Sequence, residues 1–448
     1  MSSVGIVGGG LLGMSLAAKL TGQGHQVTIL EAAPRSGGLA APARIGDYTW
    51  DRFYHVVLLS DEYLRALLDE LGLTERLHWT PTRTGFYIDG RLRSLSSTLE
   101  FLTFPALGLL DKARLGATIL YASRIREWAR LEAVLASAWL KRWSGKRAWD
   151  RLWLPLLRAK LGDNAEVASA AFIWAIIARM YGARRTGMKR ETFGYVEGGY
   201  ASVLQRFDEH LGGLGVESIY DARATEVRST NGRVQVATAS GSREFDNVIL
   251  TIPCSRIADV CPQLTEPEQS RLRAVRYQGI VCAALLLERP LADYYITNIT
   301  DARVPFTAVI EMTALVDRRH FGGHALVYLP KYLTQQEPFW EKTDAQIEAE
   351  FLSALEEMYP HFRREQVKVC QVSRVREMLA VTTLNYSAML LPPTGTTVER
   401  VFVVNSAQIA NGTLNVNETL GLADRKAREL GSLLRSPRAG SPVHAGAA

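Results

Sequence analysis

Three glycines near the N-terminus have the spacing of a turn that can hold a pyrophosphate. Gly8, Gly10 and Gly13 lie between an apolar stretch that predicts a strand and a longer stretch that predicts a helix. In such a turn the first glycine permits a tight bend, the second lets the backbone approach the phosphates, and the third allows close packing of helix on strand. The helix would begin at Leu11 and Leu12, whose unpaired N–H groups would face the phosphate charge.

A carboxylate and two more glycines follow at positions that suit the rest of a dinucleotide. Glu31 ends the second predicted strand, 18 residues after Gly13, where a carboxylate can accept hydrogen bonds from a ribose. Arg35, Gly37 and Gly38 supply a cation and two positions without side chains, which favours flavin adenine dinucleotide (FAD) over NAD. The alternative, that these are ordinary turn glycines, does not explain why strand, helix and acidic strand end occur together. The cofactor contacts predicted here are Glu31, Ala32, Arg35, Gly37, Gly38 and Leu39.

This N-terminal segment resembles the fingerprint of the FAD-dependent amine oxidases, protoporphyrinogen oxidases and phytoene desaturases. The matching positions are Gly8, Gly10, Gly13, Ala17, Leu20, Gly24, Val27, Glu31, Arg35, Gly37 and Gly38. The resemblance implies an α/β protein with an FAD-binding Rossmann-type (glutathione-reductase-like) domain, a second mixed-sheet substrate domain and a helical insertion. It also implies hydride transfer from a small molecule to the flavin N5, for which the protein must hold the substrate and exclude water.

Two later segments extend the resemblance. Residues 225–227, followed by 248–253, are similar to the family's second FAD-contacting strand, which implies that the backbone of Val227 meets the adenine. Residues 405–409 and 412–417 are similar to the segment that covers the flavin ring. Many relatives have Gly-Asp where this chain has Asn405 and Ser406, which weakens the implied ribityl contact. The contacts implied by these segments are Val227, Asn405, Gly412, Thr413, Leu414 and Asn415.

Candidate catalytic residues lie shortly after the glycine pair. Residues 50–55 contain Asp51 and His55, where related proteins bring a loop toward the flavin. Histidine side chains exchange protons near neutral pH, so His55 is a candidate to move a proton, with Asp51 orienting it. The alternatives, a hydrogen-bonded packing histidine and a turn-capping aspartate, remain open. No second glycine fingerprint for NAD(P)H is found, which favours oxygen, a quinone or another carrier as oxidant.

Composition indicates an ordinary globular protein. With 448 residues, 47% of them hydrophobic, the chain is long enough for two or three lobes with large cores. The N-terminus has no basic region ahead of its apolar stretch, so we expect no secretory signal. Four cysteines without metal-ligand spacing predict neither a disulfide framework nor a metal site, which favours a reducing cytoplasm. No apolar run is long enough to cross a membrane.

Positive charge is concentrated in residues 112–160. This stretch holds twelve Lys or Arg against three acidic residues, a charge of +9 in a chain whose total is +6. Tryptophans among cations suit anionic lipid headgroups, so the stretch is a candidate for peripheral membrane contact. The alternative is that the tryptophans pack inward. No nucleic-acid-binding module is recognisable, so we predict no nucleic acid partner. The tryptophans concerned are Trp128, Trp139, Trp143, Trp149 and Trp153.

The periodicity of apolar residues predicts the elements that position these residues. A strand, helix and strand are predicted over residues 4–31, a hairpin turn at Asp89 and Gly90, and helices in the Leu-, Ala- and Trp-rich stretch 99–182. The predicted divisions are residues 1–98 (FAD-binding domain, first part), 99–190 (helical insertion at the substrate entrance), 191–270 (FAD-binding domain, second part), 271–400 (substrate-domain sheet), 401–434 (C-terminal FAD-binding segment) and 435–448 (disordered tail).

Three function classes are compatible with this pattern. The first is an FAD-dependent oxidase or dehydrogenase acting on a hydrophobic or conjugated small molecule. The second is a non-redox flavoenzyme like the UDP-galactopyranose mutases, for which Arg179, Arg184 and Arg185 would be the candidate cations for a nucleotide diphosphate. The third is a carrier or assembly protein that binds FAD without turnover. We expect the first; the oligomeric state is not predicted.

Overall fold

The computed structural model of the protein describes residues 1–182, 191–410 and 413–434. The predicted contact Gly412, the candidate cations Arg184 and Arg185, and the predicted disordered tail 435–448 therefore lie outside the described residues.

Runs of strands are separated by single helices or groups of helices along the described chain. In chain order the strands are β1 (Ser3–Val7), β2 (Gln26–Leu30), β3 (Pro42–Ile45), β4 (Tyr48–Asp51), β5 (Val57–Leu58), β6 (Leu77–Pro81), β7 (Thr84–Ile88), β8 (Arg91–Ser94), β9 (Thr192–Val196), β10 (Glu217–Ile219), β11 (Ala224–Thr230), β12 (Arg233–Thr238), β13 (Gly241–Phe245), β14 (Asn247–Leu250), β15 (Tyr277–Leu287), β16 (Ile296–Ile299), β17 (Ala308–Glu311), β18 (Ala325–Leu333), β19 (Val367–Ala380) and β20 (Val401–Val403). The helices are α1 (Leu11–Gly22), α2 (Glu62–Glu70), α3 (Thr98–Thr103), α4 (Leu109–Ala122), α5 (Ala136–Ser144), α6 (Lys146–Ala148), α7 (Leu154–Leu161), α8 (Ala170–Gly182), α9 (Gly199–Gly213), α10 (Cys254–Val260), α11 (Glu266–Ala274), α12 (Asp344–Met358), α13 (Tyr386–Met389) and α14 (Val416–Leu433).

The nucleotide lobe is built on a parallel sheet of five strands in the order β10-β2-β1-β14-β20. Both faces of this sheet are covered, so its central strands are apolar on both sides. Ile6 of β1 packs into the core formed by α1, α2, α9 and α14. Its neighbour Val7 points the other way, into the core under the antiparallel sheet β11-β12-β13. The predicted strand, helix and strand over residues 4–31 are confirmed as β1, α1 and β2.

The second lobe contains a mixed sheet of seven strands in the order β19-β15-β18-β17-β16-β7-β8. Strand β15 is buried along its whole length and alternates between two cores. Val281 and Leu285 pack against helix α12. Ile280 and Leu286 face the opposite core, which also contains Trp50 of the nucleotide lobe. This second core therefore joins the two lobes.

The hairpin β7-β8 at the edge of that sheet is explained by the residues of its turn. Strands β7 and β8 are joined by Asp89 (φ 53°) and Gly90 (φ 69°), both in the left-handed region. Two such residues form the turn that matches the twist of a two-stranded hairpin, as the Asp-Gly pair predicts.

The helical insertion is confirmed as α3 to α8, which fill residues 98–182. Its core contains Trp139, Trp149 and Phe172, together with Leu379 from the end of β19. The insertion is thus anchored on the second sheet. The predicted α/β architecture is confirmed, while the domain boundaries stay predictions. Helix α14, the hairpin β3-β4 and the small sheet β5-β9-β6 were not predicted.

Candidate functional site

The glycine turn between β1 and α1 requires glycine at two positions for the fold itself. Gly8 has φ +116° and donates its N–H to Leu30 O at 2.9 Å, which ties the turn to the end of β2. A Cβ on Gly13 would lie 2.0 Å from Gly8 O, so a side chain there would push α1 away from β1. These contacts account for the tight turn and for the close packing of helix on strand.

Gly10 differs, because neither its backbone nor its protein neighbours require glycine. It has φ −70° and ψ 171°, which any residue can adopt, and the nearest atom to a Cβ built there is Gly38 Cα at 3.8 Å. Gly10 is the N-cap of α1, and within the described chain that helix has neither a side-chain cap nor an acidic residue in its first turn. The free N–H groups and the positive end of the helix dipole are therefore open to an anion beside Gly10.

Glu31 lies beside this turn at the end of β2. Its carboxylate accepts hydrogen bonds from Gly9 N at 2.5 Å and Ala33 N at 2.8 Å. A carboxylate has about four acceptor positions, so both oxygens can still accept ribose hydroxyls. The backbone of Glu31 also accepts from Ala222 N at 2.8 Å, which brings the segment leading to β11 alongside.

The second glycine pair is joined directly to the first turn. Gly37 donates its N–H to Gly9 O at 2.8 Å and has φ +114°, while Gly38 has φ +56°. A Cβ on Gly38 would lie 3.1 Å from Gly10 Cα, closer than side chains normally come. The two motifs predicted to bind one ligand are therefore adjacent.

The other predicted cofactor contacts occupy different environments. Ala32 and Arg35 are exposed, Leu39 is half-buried, and Leu11 and Leu12 are buried in α1. The Val227 side chain is fully buried in β11, within the core that includes the end of β1.

The predicted C-terminal contacts have structural partners of their own. Asn405 Oδ1 accepts from Ala407 N at 3.1 Å, and its Nδ2 donates to Ile252 O at 3.1 Å and lies 3.3 Å from Cys254 Sγ. Both hydrogens of that amide are thus used within the protein.

The segment from Thr413 to Asn415 leads into α14. Asn415 Oδ1 accepts from Glu418 N at 3.0 Å and so caps α14. Its Nδ2 donates to Thr413 O at 2.6 Å, and Leu414 packs against the cores of both the nucleotide lobe and the helical insertion.

Asp51 and His55 are close together, as the sequence predicts, but Asp51 has a second partner. Asp51 is buried and its Oδ1 accepts from Tyr200 N at 2.7 Å, in the first turn of α9. His55 Nδ1 lies 3.6 Å from Asp51 Oδ2, beyond hydrogen-bond distance, and its ring is 4.7 Å from that of Tyr200. One oxygen of Asp51 therefore caps a turn, as the structural alternative expects, and the other oxygen faces His55.

Arg52, the neighbour of Asp51, was not predicted as a site residue. Arg52 Nη2 donates to Gly38 O at 2.8 Å, at the exit of the glycine pair. Its Nε is buried without a hydrogen-bond partner in the described chain, and burial lowers the pKa of the guanidinium from its ordinary value. A half-buried cation with a free donor at this position suits an anionic or carbonyl-bearing ligand. The signal was available, since an arginine soon after the glycine pair is a second cation near the expected phosphates.

An aromatic group on the second sheet was also missed. Tyr54 and Tyr332 share a hydrogen bond of 2.6 Å between their hydroxyls, and Lys160 Nζ lies 4.6 Å from the centre of the Tyr332 ring. Burial raises the pKa of Tyr54 well above its ordinary value, so this phenol stays protonated. The pair joins residues 278 positions apart, a contact that spacing along the chain does not reveal.

The tryptophans of the basic stretch pack mainly inward, which is the alternative considered above. They therefore do not form the exposed surface expected for contact with lipid. Trp139 and Trp149 are buried, Trp128 and Trp153 are half-buried, and Trp143 is exposed. Trp128 stacks on Trp174 of α8, as expected for residues that hold the helices together.

Three arginines were considered for binding a nucleotide diphosphate. Arg184 and Arg185 lie outside the described residues, and Arg179 already has a partner. Arg179 Nη2 donates to the buried carboxylate of Asp61 at 3.1 Å, which ties α8 to the start of α2. A phosphate would have to compete with that carboxylate.

The described residues contain neither a candidate metal site nor a helix that could cross a membrane. No group of three or more His, Cys, Asp or Glu side chains among them could hold a metal ion. No described helix has the length and apolar character needed to cross a bilayer.

Comparison with known proteins places this geometry among flavoproteins. The family model described as flavin containing amine oxidoreductase matches residues 13–415. The coproporphyrinogen III oxidase of Mycobacterium tuberculosis is 28% identical over 274 residues, which cover 56% of this chain and 59% of that protein, less than two thirds of its length.

Two solved structures share the fold at low sequence identity. Putrescine oxidase bound to putrescine has a TM-score of 0.73 at 17% identity, covering 96% of this chain and 99% of the other. Reduced UDP-galactopyranose mutase has a TM-score of 0.73 at 13% identity, covering 97% and 94%. Because an oxidase and a mutase match equally well, the fold does not determine the reaction.

Proposed function

Because the chain belongs to the family of flavin-containing amine oxidoreductases, whose model matches residues 13–415, we propose that it is an FAD-dependent oxidoreductase for a hydrophobic or conjugated small molecule. FAD is its cofactor, and when bound it supplies an acceptor for a hydride equivalent at N5 of the flavin ring. The substrate would lose a C–H bond and two electrons, and a proton must leave the site.

The observation that carries this proposal is the space beside Gly10. Glycine there is required neither by the backbone conformation nor by any close protein atom, yet it stands at an uncapped helix N-terminus next to the Glu31 carboxylate. A pyrophosphate between the helix and Gly38, with a ribose on Glu31, would use each of these features. Arg52, beside Gly38, would donate to the same ligand through its free Nε.

We propose that the remaining predicted contacts divide into two groups. Val227, Thr413 and Leu414 would contact the cofactor through their backbones, because the Val227 side chain is buried and Leu414 packs into the core. The side chains of Asn405 and Asn415 cap their own segments, so we propose that they position the cofactor-covering chain.

The substrate class is proposed from the second sheet. The core shared by the two lobes contains aliphatic residues and tyrosines, among them Tyr54, Tyr295 and Tyr328. Burial raises the pKa of these tyrosines above its ordinary value, so their hydroxyls stay neutral. We propose that the substrate binds against this core, where neutral aromatic rings would favour an apolar or conjugated molecule over a charged one. The relative from Mycobacterium tuberculosis is named as an oxidase of coproporphyrinogen III, and that name supports a substrate with a conjugated product.

Proton movement is assigned to His55. Its Nδ1 is buried without a hydrogen-bond partner in the described chain and faces Asp51 at 3.6 Å. A modest movement of the ring would complete that hydrogen bond and stabilise a charged imidazole. We therefore propose that His55 accepts the substrate proton and that Asp51 is a positioning residue held by its bond to Tyr200 N.

Anaerobic mixing tests this function. The purified yellow protein is mixed without oxygen with coproporphyrinogen III, phytoene as a polyene precursor, and putrescine, while the flavin absorbance is recorded. We expect rapid bleaching by one of the first two compounds and slow or no bleaching by the amine. A flavin-free Gly10→Val variant serves as the blank.

Two outcomes would contradict the proposal. Fastest bleaching by putrescine would assign a polar amine substrate. Turnover of a sugar nucleotide that requires prior reduction with dithionite, without bleaching by any of the three compounds, would assign the mutase reaction instead.

A further inference from the structure

Helix α4 has an apolar face that the rest of the described chain leaves uncovered. Leu109 is 75% and Leu110 82% exposed at its first turn, and Leu120 and Tyr121 are exposed near its end. Exposed apolar residues of α4 recur at 110, 113, 117 and 120–121, the three- and four-residue spacing of a single helix face, and Arg114 is exposed beside them. A row of exposed apolar residues is unusual on a soluble surface, where such residues are normally scattered.

Helix α3 extends the same surface. Leu99 is 71% and Leu102 50% exposed, and Lys112 Nζ donates to Leu102 O at 2.5 Å, which fixes α3 against α4. We call the set Leu99, Leu102, Leu109, Leu110, Leu120 and Tyr121 the α3–α4 surface. At its far end, the exposed Trp143 stacks on Tyr121 with 4.3 Å between ring centres.

Cations flank this surface. Arg114 on α4 donates to Arg142 O at 2.9 Å and so lies between α4 and the end of α5. Arg124 and Arg126 are exposed just after α4, and Lys141 and Arg142 are exposed beside Trp143. The surface is therefore apolar at its centre and basic at its edge.

The length of α4 and the charge around it favour a lipid bilayer over a second copy of the chain as the partner of the α3–α4 surface. At 14 residues, α4 is about 21 Å long, shorter than the roughly 30 Å apolar layer of a bilayer, so it suits a position along an interface. A second copy of the chain would bring the same arginines against each other in a two-fold contact. An anionic lipid surface takes up leucines below the headgroups and arginines among them.

We propose that the α3–α4 surface docks the protein on an anionic lipid bilayer, with α4 lying in the plane of the interface. The inference goes beyond the proposed function and does not depend on the substrate. It replaces the tryptophan-based surface of the sequence analysis, since the exposed leucines of α3 and α4, rather than the buried tryptophans, would enter the lipid.

Co-sedimentation of the FAD-loaded protein with vesicles tests this proposal. We compare vesicles of phosphatidylcholine alone with vesicles containing phosphatidylglycerol, at low and high salt. We expect binding to the anionic vesicles that weakens with salt. Leu110→Glu should lower partitioning about tenfold or more, because an acidic side chain replaces an apolar one that would enter the lipid.

The matched control is Leu214→Glu, at a leucine 39% exposed after α9, far along the chain from the α3–α4 surface. It should partition like the wild type. An Arg124→Gln/Arg126→Gln double variant should lose most of the preference for anionic vesicles. Retained flavin absorbance in each variant shows that the fold and the cofactor site are intact, so failure here is distinguishable from failure of the proposed function.

Three outcomes overturn the proposal. They are no binding of the wild type to anionic vesicles, equal losses for Leu110→Glu and Leu214→Glu, and a dimeric wild type that Leu110→Glu makes monomeric without any vesicle binding. The last result would assign the α3–α4 surface to a second copy of the chain.

Discussion

Gly10 and Gly13 belong to one motif but serve different purposes. Gly13 is required by the protein, since a Cβ there would meet Gly8 O at 2.0 Å, whereas a Cβ on Gly10 would come no closer than 3.8 Å to Gly38 Cα. The sequence motif predicts both glycines without separating their purposes. The structure shows that Gly13 preserves the fold, and we propose that Gly10 preserves room for the cofactor.

This difference leads to a three-variant comparison on one helix. Gly10→Val should fold but purify without FAD, because its side chain occupies the space of the pyrophosphate. Gly13→Ala should lower the thermal midpoint as well, because α1 must move. Gly22→Ala, where a Cβ meets nothing within 4 Å, should keep FAD and gain about 0.5–1 kcal/mol from helix propensity.

The measurements are the ratio of absorbance at 450 nm to that at 280 nm and the midpoint of thermal unfolding. A yellow Gly10→Val protein with normal FAD content would contradict the assignment of this space to the cofactor.

His55 supports a second prediction at this scale. His55→Gln should slow flavin reduction by about 100-fold or more, the range for loss of a general base. His361→Gln, at an exposed histidine after α12, should leave the rate unchanged. An unchanged rate in His55→Gln would leave packing as the role of this residue.

At the scale of elements, the spacing of apolar residues and the types of turn residues predicted structure, because both depend only on residues close together in the chain. The Asp89–Gly90 hairpin and the elements β1, α1 and β2 occur where the sequence predicts them. Contacts between distant elements were not predicted: α2 receives its cap from Asn417, whose Oδ1 accepts from Tyr63 N at 2.9 Å across 354 residues. Asp61, the residue at the N-cap position, makes no such bond and instead pairs with Arg179.

Strand β17 ends in a buried carboxylate that should make stability depend on pH. Glu311 accepts from Leu291 N at 3.1 Å and Ala292 N at 3.0 Å, but burial outweighs these bonds and raises its pKa from 4.5 to about 7. Between these values the unfolded chain has released the proton that the folded chain still holds. Stability should therefore fall by up to about 3 kcal/mol as pH rises from 4.5 to 7, and level off above that.

Glu311→Gln should flatten that dependence, since an amide keeps an acceptor and does not titrate. Glu365→Gln, at an exposed position before β19, should retain it. Thermal midpoints measured at pH 4.5, 5.5, 6.5 and 7.5 decide the matter, and parallel curves for wild type and Glu311→Gln would refute the assignment.

On the scale of the whole molecule, the lobe that we propose holds the cofactor is assembled from segments far apart in the chain. Strand β1 pairs with β2 on one side and with β14 on the other, and β14 pairs with β20. The sequence predicts this convergence only through the resemblance to known flavoproteins, because parallel pairing leaves no mark in local spacing. The inward packing of Trp139 and Trp149 could not be predicted either, since composition does not tell a helix face from its opposite.

Cofactor binding should therefore stabilise the nucleotide lobe as a unit. At a free FAD concentration of 100 times the dissociation constant, the gain is about 2.7 kcal/mol, which for a chain of this length corresponds to roughly 3 °C in the thermal midpoint. The expected result is a single transition that rises with added FAD. Two transitions, with FAD shifting neither, would contradict a shared site.

The order of the five-stranded sheet also bears on synthesis by the ribosome. The partner of β14 at the sheet edge, β20, is made about 150 residues later, and α14, which packs on α1, later still. At roughly 5–20 residues per second, the nascent chain would expose the edge of β14 for about 8–30 s. During that interval the unfinished sheet is a template for pairing with other nascent chains, so production yield should respond to translation speed and to chaperone supply.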